Sequence, residues 1–201
     1  MEEMGNQPGI GPVTNSNINQ PTPPFPIPFI YSIIYASTAE VSSKKHRIFV
    51  YGTLKKGLRN HYLMKDKNNG EAMFISEARL SHPYPLIAEM IGDKMAEEIG
   101  INNQVVPFLL PKMPPNRPDN IVVGELYEVD SSMCAVLDKL EEHPIWYLRT
   151  PTQCILTGTP SDKFPGLSKG STVDCEVYFY NKTDLTPEWY SRPYISDYQE
   201  N

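Results

Sequence analysis

Between residues 47 and 180 the chain strings together short strand-like runs and carries one strongly amphipathic helix. That imbalance limits what it can fold into. The runs fall at 47–51, 72–80, 86–91, 105–110, 121–129, 147–156 and 172–180, rich in β-branched and aromatic residues and separated by turn-forming or Pro-rich segments. In the last of them Val173, Cys175, Val177 and Phe179 alternate with polar or amphipathic neighbours, which gives one buried face. The helix is read from Met133, Val136, Leu137 and Leu140, spaced i, i+3, i+4 and i+7. Asp130, Ser131 and Ser132 supply its N-cap chemistry, and Pro144 disfavours helical geometry at His143, so its end is predicted near there. A second, short helix is expected over 60–67, stopped at Asn69-Gly70, and a long hairpin loop over 157–170. Many strands with one or two helices imply an α+β domain built around a curved sheet or small barrel.

The chain divides at about residue 43. Residues 1–43 are rich in Pro, Asn, Ser and Gly, and such a segment buries too little apolar surface to offset its ordering entropy, so a disordered N-terminal extension is expected. Its Pro-rich stretch, 20–28, suits a spacer or a ligand for an SH3-like partner. The apolar patch 29–36 falls far short of the roughly 20 residues a membrane span needs, and Glu2 and Glu3 argue against a secretory signal. Residues 44–201 form the predicted folded domain, where 40% hydrophobic content overall allows a real core. A net charge of −6 and the lack of a dense basic patch argue against nucleic acid. Cys134, Cys154 and Cys175 have neither a disulfide framework's spacing nor a zinc site's. They read as buried apolar residues of a protein in a reducing, cytoplasmic setting. The four histidines are scattered, so no metal site is expected.

Two segments carry candidate chemistry. In Phe49-Val-Tyr-Gly-Thr-Leu-Lys-Lys-Gly57 a strand stops abruptly at Gly52-Thr53, where glycine leaves the backbone uncovered and amide N–H groups can meet an anion or a carbonyl oxygen. Taken alone, the tetrapeptide Tyr51–Leu54 is better read as a strand followed by an ordinary turn. About ninety residues on, the helix closes with Glu141 and Glu142. At about 100° per residue, Glu141 sits at the edge of the apolar stripe and Glu142 points away from it. Both face the negative end of the helix dipole, where cations are preferred. Such a broken local rule beside a buried face marks either a functional site or a solvated acidic helix end.

The order of motifs separates these readings. Tyr51-Gly-Thr-Leu54, Asn60-His61, Pro83-Tyr-Pro-Leu86, Gly124-Glu-Leu-Tyr127 and Asp138-Lys-Leu-Glu141 are followed by Pro144, Tyr147, Arg149 and Pro187-Glu-Trp189. Over about 46–198 this resembles the gamma-glutamylcyclotransferase superfamily, and within it the gamma-glutamylamine cyclotransferases. The resemblance implies a small mixed β-barrel with peripheral helices and an enzyme that needs no cofactor. It implies release of 5-oxoproline from a small gamma-glutamyl substrate, with the amine set free. By motif, Tyr51, Gly52, Thr53 and Leu54 hold the glutamyl moiety, and Glu141, three residues before Pro144, is the catalytic carboxylate. Tyr147 is a pocket-lining candidate, Arg149 a structural one. Glu142 and His143 depart from the small residues common after that carboxylate. Gamma-glutamyl amino acids or glutathione as substrates, and a non-catalytic binding protein on the same fold, are the alternatives.

Overall fold

The computed structural model describes residues 44–90, 104–115, 117, 119–181 and 185–200. The expected extension over 1–43 lies outside the described residues. The described residues hold seven strands: β1 (Lys45–Val50), β2 (Ala72–Leu80), β3 (Leu86–Met90), β4 (Val105–Leu109), β5 (Val123–Asp130), β6 (Tyr147–Leu156) and β7 (Thr172–Tyr180). Helix α1 (Tyr62–Lys65) precedes β2, α2 (Ser131–Leu140) follows β5, and α3 (Pro187–Ser191) follows β7.

Five strands close a barrel in the order β1-β5-β2-β6-β7, and β3 and β4 pair with each other outside it. The barrel pairs are antiparallel except one: β7 closes onto β1 in parallel, with Ile48 opposite Glu176. Closure leaves the barrel no free edge. The mixed α+β barrel expected from the sequence is therefore the fold.

Strand alternation sorts the apolar side chains into two layers. Phe49, Leu80, Leu126, Val173, Cys175, Val177 and Phe179 fill the barrel interior. Ile48, Val50, Val129, Tyr178 and Tyr180 point outward into a second core, where Met133, Cys134 and Leu137 of α2 and Phe108 of β4 meet them. The face predicted for β7 is the interior one. Its opposite face is exposed at Thr172 and Asp174 but buried at Tyr178 and Tyr180, where α2 and β4 cover it, and sequence alternation alone did not disclose this. All three cysteines are free and buried.

Two helix expectations need correction. The segment read as helical over 60–67 is helical only over Tyr62–Lys65, followed by a 3-10 turn at Lys67–Asn69. Asp66 interrupts it by accepting a bond from the Asn68 N–H. Gly70 then stops it at φ 118°, where a Cβ would also stand 2.4 Å from Asp130 Oδ1. Helix α2 begins as predicted, with the Asp130 carboxylate capping the Met133 N–H at 2.8 Å. It ends at Leu140 rather than near His143. Glu142 turns to φ 47°, its N–H bonds to Lys139 O and the His143 N–H bonds to Asp138 O at 2.8 Å. This is a Schellman stop, with glutamate where glycine is usual.

Candidate active site

A cavity of about 460 Å³ opens beside the barrel between the end of β1, the last turn of α2 and strand β4. It brings together every site residue named from the sequence: Tyr51, Gly52, Thr53, Leu54, Glu141 and Tyr147 all line it. Because the helix stops at Leu140, Glu141 is its C-cap, with its N–H still bonded to Leu137 O at 3.0 Å. The Glu141 side chain thus leaves the helix on the cavity side, while Glu142 is exposed at the mouth. Protein crowds the Glu141 carboxyl on all sides, although cavity solvent still touches the residue. Among the described residues it has no hydrogen-bond or ion-pair partner. Burial pushes its pKa up to about 7. A carboxylate left unpaired in such a place is costly, and carboxylates of this kind cluster at functional sites.

The Tyr51–Leu54 loop is held from several sides. Asn60 Nδ2 donates to Thr53 Oγ1 at 2.9 Å, and the Asn60 N–H bonds to Thr53 O. His61 Nδ1 lies 3.0 Å from Leu54 O; a carbonyl only accepts, so the proton sits on Nδ1. Lys55 is buried and pairs with Asp197, while Arg59 pairs with Glu200 at 3.2 Å. The N–H groups of Gly52, Thr53 and Leu54 meet no acceptor among the described residues, so they remain available to a ligand. Glycine at 52 has a further reason that the sequence hid. A Cβ there would stand 2.6 Å from Pro107 Cγ of β4. Gly52→Ala is therefore expected to push β4 and the loop apart, costing about 1–3 kcal/mol of stability. It should also raise KM, as urea unfolding and steady-state kinetics would show.

Two phenols flank the carboxylate. The Tyr51 hydroxyl is turned inward and donates to Tyr178 O at 2.7 Å, and the Tyr147 hydroxyl donates to Pro107 O at 3.1 Å. Burial first, and then the negative charge of Glu141 among others, hold both phenols well above their ordinary pKa, so both stay neutral donors. Tyr147 also stacks parallel to Phe108, which packs edge-on against Trp189. Trp189 thus belongs to the aromatic layer behind the β4 wall.

Behind α2 lies a charged cluster. Asp138, one turn before Glu141, accepts Arg149 Nε at 2.9 Å and Tyr178 Oη at 2.7 Å. Arg149 also bonds Glu176, which holds His46 Nδ1 at 2.8 Å. Burial alone would raise the Asp138 pKa, but the Arg149 and Tyr178 bonds outweigh it and hold the carboxyl below its ordinary value. The Asp-x-x-Glu spacing thus has a physical meaning: the first residue bolts the helix end to the barrel and the second enters the cavity. Arg149 is structural, as expected. Nothing in the sequence pointed to Pro107 and Arg59 in the cavity lining or to the Asp197–Glu200 segment that braces Lys55 and Arg59. Among the described residues no group of three or more His, Cys, Asp or Glu is placed to hold a metal ion.

Fold and site define a small-barrel protein whose side cavity joins an amide-bearing loop to an unpaired carboxylate. The chain belongs to the family described as "Gamma-glutamyl cyclotransferase, AIG2-like", matched over residues 48–199. It is 39% identical over 157 residues to gamma-glutamylaminecyclotransferase B of Danio rerio, covering 77% of this chain and 68% of the relative. It is 34% identical over 154 residues to the Homo sapiens gamma-glutamylaminecyclotransferase, covering 75% and 88%. The crystal structure of an aig2-like protein from Mus musculus superposes with a TM-score of 0.58 at 32% identity, covering 77% of this chain and 88% of that one.

Proposed function

We propose that this chain is a gamma-glutamylamine cyclotransferase: it converts a gamma-glutamylamine into 5-oxoproline and the free amine. The observation that carries the reading is the unpaired, buried Glu141 carboxylate, with a pKa of about 7, facing the free amides of the Tyr51–Leu54 loop across one cavity.

The substrate's own α-amine nitrogen attacks its γ-carbonyl carbon, and the bond from that carbon to the leaving amine breaks. The nucleophile is tethered, so little encounter entropy remains to be met by the protein. At neutral pH the α-amine is an ammonium ion. The lactam nitrogen keeps one of its three protons, so Glu141 takes the other two in turn and passes each to the departing nitrogen, which leaves as an ammonium ion and restores the carboxylate. The loop amides receive the glutamyl α-carboxylate or the negative charge that grows on the γ-carbonyl oxygen. The neutral phenols of Tyr51 and Tyr147 line the floor without adding a second negative charge. No step calls for a cofactor. The three free cysteines suit a reducing compartment, which supports a cytoplasmic enzyme.

The decisive assay is 5-oxoproline release from ε-(γ-glutamyl)-lysine, with γ-glutamyl-alanine and glutathione alongside. Turnover of the isopeptide is expected, and release from the other two alone would reassign the substrate class. The base must be ionised, so kcat/KM should climb with pH and level off above about 7. A profile flat between pH 5 and 8 would remove Glu141 from this role.

A further inference from the structure

Asn60 and His61 stand out in the sequence, yet the ring closure gives neither of them a task. In the fold they turn back on the Tyr51–Leu54 loop and occupy its acceptors. Gly52 O accepts the Lys55 N–H at 3.0 Å, Thr53 O accepts the Asn60 N–H at 3.0 Å, and Leu54 O accepts from His61 Nδ1 at 3.0 Å. All three carbonyls are thus taken by protein, while the N–H groups of the same residues are left open. The two phenols beside Glu141 also spend their protons on protein carbonyls, Tyr51 on Tyr178 O and Tyr147 on Pro107 O.

Thr53 adds a group that is able to act either way. A hydroxyl has one proton to give and two lone pairs that receive. Asn60 Nδ2 donates to Thr53 Oγ1 at 2.9 Å. An amide NH2 only donates, so the hydroxyl proton has to turn away from Asn60. No acceptor among the described residues takes that proton. Thr53 and Asn60 both line the cavity, so it is left for whatever fills the cavity. Asn60 itself starts from a fixed backbone. Its N–H is held by Thr53 O, and its carbonyl accepts the Leu63 N–H at 3.1 Å.

A loop with its carbonyls engaged and its donors open suits an anionic oxygen. We propose that Asn60 is a positioning residue: its side-chain amide sets the Thr53 hydroxyl as a fourth donor, beside the N–H groups of residues 52–54, to an anionic oxygen of the substrate. This rests on the cyclotransferase reading and adds to it a residue that acts through Thr53.

The test turns the donor into an acceptor. Asn60→Asp keeps the size of the side chain and a hydrogen bond to Thr53, but its carboxylate accepts the hydroxyl proton and draws it out of the cavity. Asn60→Ala removes the bond and leaves the hydroxyl free to rotate. A residue that only braced the loop would make Asn60→Asp the milder change. The donor role makes it the harsher one. For ε-(γ-glutamyl)-lysine, kcat/KM should fall about threefold to tenfold in Asn60→Ala and about 10²-fold in Asn60→Asp. The aspartate also brings a charge, and Thr53→Val separates its repulsion from the lost donor. With valine at 53 the gap between the two position-60 variants should shrink to about threefold. Activities are compared where urea unfolding shows each variant folded. Asn60→Asp more active than Asn60→Ala, or a gap of the same size with threonine and with valine at 53, would overturn the role of Asn60 while leaving the cyclotransferase intact. No 5-oxoproline from the wild-type enzyme would overturn both.

Discussion

Glu141→Gln is expected to lose about 10²- to 10⁴-fold in kcat, the usual worth of a positioned acid–base group. The same variant should be the more stable protein. Burial raises the Glu141 pKa from 4.5 to about 7 in the fold, so the folded chain binds a proton more readily than the unfolded one. The charged form is the one the fold disfavours. Stability therefore falls as pH rises from about 4.5 to 7, and above that the full penalty applies. At about 1.4 kcal/mol per pKa unit this penalty reaches at most about 3.5 kcal/mol, less whatever relief the cavity solvent gives. Glutamine has no charge to bury. Urea unfolding at pH 8 should favour the variant, while at pH 4 the two proteins should unfold alike. A variant that loses both activity and stability at pH 8 would mean that Glu141 holds the fold rather than the chemistry.

Arg149→Leu should have the largest effect on stability, on the order of 3 kcal/mol. The guanidinium is held between Asp138 and Glu176 with little solvent around it. Removing it takes the counter-charge from two half-buried carboxylates, leaving Asp138 only the Tyr178 hydroxyl and Glu176 only His46. The loss depends on pH with a definite sign. Asp138 is held below its ordinary pKa of 3.8, so its pairing stabilises the fold above that value and is lost as pH falls through the lowered one. The stability gap between wild type and variant should therefore narrow in acid. Asp138→Leu in the Arg149→Leu background should recover part of the loss, because one stranded charge is gone. Denaturation of the single and double variants at pH 7 and pH 3 checks both statements. A full-sized gap at pH 3 would show that the packing of the arginine stem, and not its charge, is what matters.

The contrast between these residues shows which parts of the site were legible in the sequence. Helix α2 was readable because a one-sided apolar stripe repeats with the helical period, and β7 because its interior face alternates strictly. Glu141 could be placed at the stripe's edge from geometry, but its role came from the ordered motifs. The helix end was misjudged by three residues because Pro144 is a visible breaker and the left-handed turn at Glu142 is not: glutamate seldom adopts it. Gly52 was identified as a special position for an incomplete reason, since the contact with Pro107 spans more than fifty residues and depends on a hairpin packing outside the barrel. The same holds for the braces on the loop. A lysine at 55 or an aspartate at 197 looks like ordinary surface charge until the fold makes them neighbours.

Those braces have a consequence for how the protein is made. Lys55 and Asp197 are separated by 142 positions, and Arg59 meets Glu200 across a similar distance. During synthesis the barrel strands and Glu141 emerge well before the segment that braces the Tyr51–Leu54 loop. The nascent chain thus sets Glu141 in its helix early, and the Tyr51–Leu54 loop gains its Lys55–Asp197 and Arg59–Glu200 braces only once residues 197–200 have emerged.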